Sequence, residues 1–493
     1  MSMKHVSIAV VLTGLLIGML TRAWQFQERF NYAHDNDLAS WTVKDIVFDK
    51  HPRLIGQLTS VQGVFIGPLF YYSLIPFYWI TGWDPLGSVA WSWVVGIAAI
   101  TSIYVLLRRL YGHTPAAIAC LIYAASAGIS GIERSVVPTA AVVLWSVWFY
   151  YAVNRLFQGH KKSLYGIAVL VSLIWHLNLA LVLLTPLTLI GVLLHRKNYT
   201  IKDILLPVLL CILLSAPLLA FEVRHNFVQT RAVFSSFTAS DFAPAADLSD
   251  KVSHVLRYVY RHASVVFIYY IPDWYSQYLT PAILLIGIAV LAFLKKIPRY
   301  TIFLFSAWIL FYFAFFTLHP INLSEYYLDG LSILWITASS LILGHLFRIG
   351  QAGRILAATC LTLFLFHNIN IFLESHPGNV GYLQKKALVE FIASDSRSHG
   401  YPCISVSYMT NPGYNLGYRY LYWLNRLHVN QPVSLSPVYT IVFPHNKAGR
   451  LDRTFGGLGL VLPEYSRYSE EQVKNTCSGA NANLTDPMLN FTK

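Results

Sequence analysis

Two carboxylates, Asp35 and Asp37, stand two residues apart in His34-Asp35-Asn36-Asp37, just beyond the first long apolar run. On an extended segment both side chains would face one way, where one carboxylate raises the pKa of the other. A carboxylate so placed suits general-base work, taking or orienting the proton of an attacking hydroxyl. The plain alternative is a solvated loop cap. Glu133-Arg134 lies between two later apolar segments, and a planar guanidinium at a membrane face is a natural clamp for phosphate. For Arg134 the alternatives are a local pair with Glu133 and snorkelling to the interface. His176 and Asn178 interrupt another apolar run, and polar residues at such depth are candidates for function. Segments 222–225, with Arg224, and 319–329, with Glu325 and Tyr326, supply further polar groups for a cavity rim. No His, Asp or Glu cluster shows metal-ligand spacing.

The elements that must position these groups are membrane helices. The 493-residue chain is 55% hydrophobic, 12% charged and has a mean hydropathy of +0.50. A soluble domain carries about 25% charged residues, so the composition points to a polytopic membrane protein. The net charge of +13 has a location. It gathers at the ends assigned to the cytoplasm, among them Arg108, Arg109, Arg155, Lys161, Lys162, Lys295, Lys296 and Arg299, opposed there by Asp203 alone. The excess is a topology signal and not a nucleic-acid footprint. Five cysteines are too few for a disulfide scaffold. Cys120, Cys211 and Cys360 lie in apolar segments, whereas Cys403 and Cys477 share the polar tail, where an extracytoplasmic location would permit a bridge.

In chain order, residues 5–24 form the first span, with the N-terminus inside. Segment 63–82 is long enough to cross, yet Gly67-Pro68, Pro76 and its tyrosines suit a helix lying in the outer interface. Only that choice keeps the later basic loops inside. Spans follow at 86–107, 114–132, 138–157, 163–177, 179–194 and 203–221, then an outer loop of about 222–277. The last spans are 278–294, 299–318, 328–346 and 354–373. The expectation is a mostly α, polytopic protein of about eleven transmembrane helices. It has a first outer loop at about 25–85, a membrane domain over 1–373 and a small α/β extracytoplasmic domain over 374–493. In that tail, Gln384–Ser394 and Tyr418–Leu427 read as helices and Cys403–Tyr408 as a strand. The sequons at Asn483 and Asn490 carry little weight without a host.

The order of these motifs resembles a known family. Asp35 after the first helix, Lys44-Asp45-Ile46, Leu54-Ile55-Gly56, and Gly67-Pro68-Leu69-Phe70-Tyr71-Tyr72 resemble the GT-C superfamily of integral-membrane glycosyltransferases. The nearest group is the protein O-mannosyltransferase and aminoarabinose-transferase-like one, glycosyltransferase family 39. Arg108-Arg109-Leu110-Tyr111-Gly112 resembles its cytoplasmic turn, and Glu133-Arg134-Ser135 through Pro138 its outer loop. Val137 departs from the pattern, since many relatives have Asp or Asn before that proline. The likeness covers about residues 5–160.

The resemblance implies a GT-C helical bundle with juxtamembrane helices on the outer face. It implies inverting transfer of a sugar from a polyprenyl-phosphate donor to a lipid, glycan or protein acceptor, with no nucleic acid involved. Asp35 holds the position of the family's carboxylate, with Asp37 as the alternative. Arg134 holds that of the arginine near the lipid phosphate, with Arg53 and Arg224 beside it. His34, His51, Tyr71, Tyr72, His176, Asn178, Glu325 and Tyr326 would line the substrate cavity. It implies no cofactor and no dedicated metal, and a bacterial inner membrane. A transporter or lipid flippase shares the composition but would show inverted repeats, which this sequence lacks.

Overall fold

The computed structural model describes residues 3–237, 247–269, 274–477, 481 and 483, so the sequon at Asn490 lies outside the described residues. The helices in chain order begin with α1 (Met3–Ala23), α2 (His34–Val47), α3 (Leu69–Ile80), α4 (Leu86–Tyr111) and α5 (His113–Ala125). Next come α6 (Ala127–Arg134), α7 (Val142–Phe157), α8 (Ser163–Leu177), α9 (Thr185–Leu194), α10 (Ile201–Leu214) and α11 (Ala216–Arg224). They continue as α12 (Val228–Ser236), α13 (Leu248–Ile268), α14 (Trp274–Phe293), α15 (Arg299–Leu318), α16 (Ser332–Leu346) and α17 (Gln351–Glu374). Helices α18 (Tyr382–Ser398), α19 (Arg419–Leu424) and α20 (Glu470–Thr476) belong to the tail. Its strands are β1 (Ile404–Thr410), β2 (Val429–Asn430), β3 (Val438–Phe443), β4 (Arg453–Phe455) and β5 (Leu458–Val461). The chain is mostly helical, with one small sheet.

Among the described residues, five helical segments are long and apolar enough to cross a membrane, or up to seven if two bent pairs each count as one span. Helix α3 is not among them. At 12 residues it is about 18 Å long, well short of a ~30 Å hydrocarbon core. The bent pairs have local causes. Between α5 and α6 the axis turns by 57° at Ser126. There the Ala127 N–H donates to Asn368 Oδ1, while Ser126 Oγ donates to the Val266 carbonyl at 2.6 Å. Asn368 Oδ1 and Ser126 Oγ, which also accepts the Ile129 N–H at 3.2 Å, thus satisfy backbone groups that the break releases. Pro217 opens α11 after the second break, which turns by 64°. The predicted outer loop of 222–277 proves to contain a 21-residue helix, α13. Its apolar residues are spaced for one face only, which hid it in a search for continuous runs.

By contact the chain forms two compact units: residues 1–24, 54–70 and 92–375 in one, and 25–53, 71–91 and 376–493 in the other. In the first, α16 is apolar around its whole circumference and Ser332–Leu341 are all buried, as expected of a central helix. Arg22 near the end of α1 is 2% exposed and donates from Nε to Glu133 Oε2 at 2.6 Å. It is therefore half of an internal ion pair. Residues 54–70 close a short loop, with the Gly56 N–H donating to the Ile66 carbonyl at 2.6 Å.

The second unit is built on a five-stranded sheet of order β2-β1-β3-β5-β4. Strand β1 runs parallel to β2 and β3, and β5 is antiparallel to β3 and β4. Gly456 at φ +60° lets Phe455-Gly456-Gly457-Leu458 close β4 on β5 with a two-residue turn. Leu388, Val389 and Ile392 on one face of α18 are buried with Ile441, Leu458 and Leu460 of the sheet. Residues 25–53 and 71–91 are tied into this unit at several points. The Tyr382 N–H donates to the Phe30 carbonyl at 2.9 Å. Asp84 accepts from the Tyr382 hydroxyl at 2.6 Å and from Lys386 Nζ at 2.8 Å. Asp37 accepts from the start of α19, as described below. Cys403 and Cys477 are disulfide-bonded across a separation of 74 residues.

Closing a loop of that length stabilises a fold by about 2–4 kcal/mol. The Cys403→Ser/Cys477→Ser double variant is expected to lose about that much in chemical unfolding of the detergent-solubilised protein. An unchanged unfolding midpoint would show the bridge to be dispensable.

Candidate functional site

The stretch 34–47 is a helix and not an extended segment, which separates the two aspartates. At 100° per residue they point about 200° apart. Asn36 Oδ1 accepts the Ala33 N–H at 3.1 Å and closes the first turn. Asp35 is exposed to solvent, whereas Asp37 is fully buried. Asp37 Oδ1 accepts the Tyr32 hydroxyl at 3.0 Å and the Tyr420 N–H at 2.9 Å, and Oδ2 accepts the Arg419 N–H at 3.1 Å. Its carboxylate is the capping acceptor for the first turn of α19. Tyr32, Ser40 and Tyr78 extend this into a hydroxyl chain of 2.7–3.0 Å links.

Further along α2, Asp45 is 9% exposed and forms an ion pair with Arg53. His51 Nδ1 lies 3.7 Å from the same carboxylate. The Arg53 backbone is pinned by Tyr72, whose hydroxyl accepts its N–H at 3.0 Å and donates to its carbonyl at 3.2 Å. Tyr71 is wholly buried, and His34 is half-buried at the start of α2. Thus Asp35, Asp37, His34, His51, Arg53, Tyr71 and Tyr72 fall in one compact unit. Arg419 joins them there, lying 3.7 Å over the Trp41 ring. Burial and the neighbouring Arg419 charge together lower the pKa of Arg53. Asp45 was named only within the Lys44-Asp45-Ile46 motif, with no role, and Arg419 was not singled out from sequence. The signal for Asp45 was its place four residues after Trp41 and eight after Asp37, on one helix face. For Arg419, 366 residues beyond Arg53, sequence carries no such signal.

The remaining candidates belong to the other unit. Arg134 donates from Nη2 to the Thr21 and Trp24 carbonyls, and its guanidinium lies 5.4 Å over the Phe372 ring. It thus caps the C-terminal end of α1. Glu133 pairs with Arg22 and accepts from the Tyr123 hydroxyl, so the local Glu133–Arg134 pair does not form. Arg224 is exposed at the end of α11. Its neighbour Glu222 accepts the Gln229 and Thr230 N–H groups at 3.0 Å each, capping α12. Asn178 Nδ2 donates to the Tyr326 carbonyl at 2.8 Å, and the Tyr326 hydroxyl meets Ser60 Oγ at 2.6 Å. Glu325 forms a surface ion pair with Arg261 at 3.2 Å. His176 is buried against Gly67, whose N–H donates to the Trp175 carbonyl at 2.6 Å; a Cβ on Gly67 would collide with the imidazole. Asn178, Tyr326 and Ser60 therefore meet, as do His176 and Gly67. Among the described residues, no three His, Cys, Asp or Glu side chains converge as metal ligands.

No protein-family model and no curated protein matches the sequence. Solved structures do match. The crystal structure of ArnT from Cupriavidus metallidurans bound to undecaprenyl phosphate aligns with a TM-score of 0.57 at 11% identity, over 95% of this chain and 100% of that one. The apo form of the same protein gives 0.58 at 11% identity, over 94% and 98%. ArnT is a GT-C membrane glycosyltransferase. The chain has the GT-C fold. At 11% identity the likeness speaks for the fold and its extent, and a GT-C chain still has to be read for function from its own residues.

Lys385 gives the site's own unit a pH signature. The residue is 4% exposed and its ammonium donates to the Leu416 carbonyl at 2.9 Å. Burial pushes its pKa down to about 8, against partial support from Asp37. The folded pKa lies below the unfolded one, so the unfolded chain binds more protons between them and stability rises with pH. Unfolding midpoints are expected to increase from pH 8 to about pH 9.5, below the range where tyrosines ionise. Lys385→Met should flatten that slope, and an identical slope in the variant would remove the assignment.

Proposed function

We propose that the protein is an inverting glycosyltransferase of the GT-C type, moving a sugar from a polyprenyl-phosphate donor to an acceptor hydroxyl or amine at the outer face of the membrane. The carrying observation is the contrast within α2. Asp37 and Asp45 are buried, while Asp35, in the first turn, is exposed to solvent. That contrast favours Asp35 as the base and gives Asp37 a structural part.

In this reading the acceptor oxygen or nitrogen attacks the anomeric carbon from the side opposite the phosphate. The bond from that carbon to the phosphate oxygen breaks, and the lipid phosphate leaves with the electron pair. The acceptor proton passes to Asp35. Charge develops on the departing phosphate, so fixed cations there supply the main electrostatic assistance, and Arg53 is our candidate among them. Undecaprenyl phosphate in the ArnT structure supports a donor of this class.

Topology follows the same proposal. About eleven membrane helices would leave the N-terminus in the cytoplasm and residues 374–493 outside, in a bacterial inner membrane. Two observations support it: the basic residues between the spans, and a disulfide in the tail, which suits an oxidising compartment. Assignment to glycosyltransferase family 39, within the aminoarabinose-transferase-like group, rests on the motifs of residues 35–72.

Membranes carrying the protein are expected to transfer radiolabelled sugar from a polyprenyl-phosphate donor. Asp35→Asn should lower that rate about 10²- to 10⁴-fold, the usual range for a lost general base. Undiminished transfer by the variant would remove Asp35 from the mechanism.

A further inference from the structure

Within the first unit, two short loops carry an unusual excess of cations: residues 158–163 between α7 and α8, and 195–200 before α10. With the first turn of α10 they hold Lys161, Lys162, Arg196, Lys197 and Lys202 against a single carboxylate, Asp203. No other acidic residue occurs between Glu133 and Glu222. The loops meet directly. Lys161 Nζ donates to Asp203 Oδ2 at 2.8 Å, and His195 Nε2 lies 3.0 Å from the Phe157 carbonyl at the end of α7. A Cβ on Gly159 would lie 3.7 Å from the His195 ring.

Asp203 is engaged by Lys161 and also caps α10, accepting the Thr200 N–H at 2.9 Å and its hydroxyl at 2.8 Å. Lys162, Arg196, Lys197 and Lys202 are exposed and form no ion pair or side-chain hydrogen bond among the described residues. Arg155, which donates to Gln158 Oε1 at 2.8 Å, and His160 bring no negative charge to them. Like charges held together in this way repel, and an anion placed among them relieves that repulsion. The adjoining surface says what carries the anion. Ile201 is 82% exposed, and Leu193, Leu194, Leu205 and Leu206 are each at least 50% exposed. All five lie within four residues of a cation of the patch, and α10 with α11 forms one of the bent candidate spans. Free cations beside exposed aliphatic side chains suit a phosphate that is itself joined to hydrocarbon. Basic loops beside spans also serve topology, but topology does not require two of them to be fastened together around one carboxylate.

We infer that these joined loops form a binding site for an anionic phospholipid of the bilayer. Its headgroup phosphate lies among Lys162, Arg196, Lys197 and Lys202, and its acyl chains lie along the exposed aliphatic side chains of α9 and α10. The site is independent of the glycosyltransferase reading and uses none of the residues proposed for sugar transfer.

The test is equilibrium binding to the full-length, delipidated protein in detergent, with phosphatidylglycerol, phosphatidylcholine of the same acyl chains and glycerol 3-phosphate as separate probes. Wild type is expected to bind phosphatidylglycerol more tightly than phosphatidylcholine, by a margin that shrinks as salt is raised. One Lys or Arg at an anionic lipid surface contributes about 5-fold in affinity. Lys197→Gln/Lys202→Gln should therefore weaken phosphatidylglycerol about 25-fold and leave phosphatidylcholine unchanged. Arg348→Gln/Arg354→Gln removes the same charge from exposed arginines after α16 and in α17, and should bind phosphatidylglycerol like wild type. Equal losses in the two double variants would report net charge alone and overturn the site. Equal affinity of wild type for the two lipids also overturns it. So does a loss that affects phosphatidylcholine as much as phosphatidylglycerol, which would report damage to the fold. Glycerol 3-phosphate that competes as strongly as the whole lipid would make the patch a site for soluble anions and remove the acyl chains from it, which overturns the inference as well.

Discussion

A buried carboxylate is costly unless it is hydrogen-bonded, and Asp37 accepts from two backbone N–H groups and a tyrosine hydroxyl. The second unit depends on it. Without Asp37, the first turn of α19 would lose its acceptor inside a dry interior, and Tyr32 would lose the end of its hydroxyl chain. The seating of α2 follows from this anchor. Helix α2 is held in register with the tail, so Trp41 lies beneath Arg419 and Asp45 beside Arg53. The same anchor turns Asp35 away from the interior, because residues two apart on a helix cannot share a face.

The first unit handles buried charge by a parallel route. Arg22 is neutralised by Glu133, which Tyr123 also engages, and the adjacent Arg134 donates from Nη2 to the closing carbonyls of α1. A free arginine at that depth would be expensive. These contacts explain why three polar side chains are tolerated where α1 meets α5 and α6. Bends do similar work in backbone terms. Asn368 and Ser126 satisfy the groups that a break exposes, which allows α5 and α6 to diverge by 57° within an apolar environment.

Much of the helical layout was legible because apolar runs and basic loops are local signals. The break at Asn178, the limits of α8 and α15, and the sheet-bearing tail all followed from composition along the chain. Helix α13 escaped because an amphipathic helix lacks a continuous apolar run. The geometry of the carboxylate pair was misread because His34-Asp35-Asn36-Asp37 has loop-like composition. Its helical character comes from tertiary seating of Asp37 and from Asn36 closing the turn. Asp45 could have been found by continuing the four-residue spacing from Asp37. Arg419 could not, since its relation to Trp41 exists only after distant segments meet. Glu133-Arg134 shows the same limit: adjacency suggested a pair, while the fold gave Glu133 a partner 111 residues earlier.

Residues 25–53 find their partners in the last quarter of the chain, and the Asp37 contacts bridge 382 and 383 residues. At ribosomal speeds of about 5–20 residues per second, that separation corresponds to roughly 20–80 s of synthesis. During this interval α2 has neither its cap on α19 nor the aromatic and ionic contacts of the tail. The nascent loop must therefore wait, unfolded and carrying its acidic residues into water, while the intervening helices are inserted. Assembly of the second unit is thus the closing event of biogenesis, and truncation anywhere before Arg419 would leave the first loop without a fold to join.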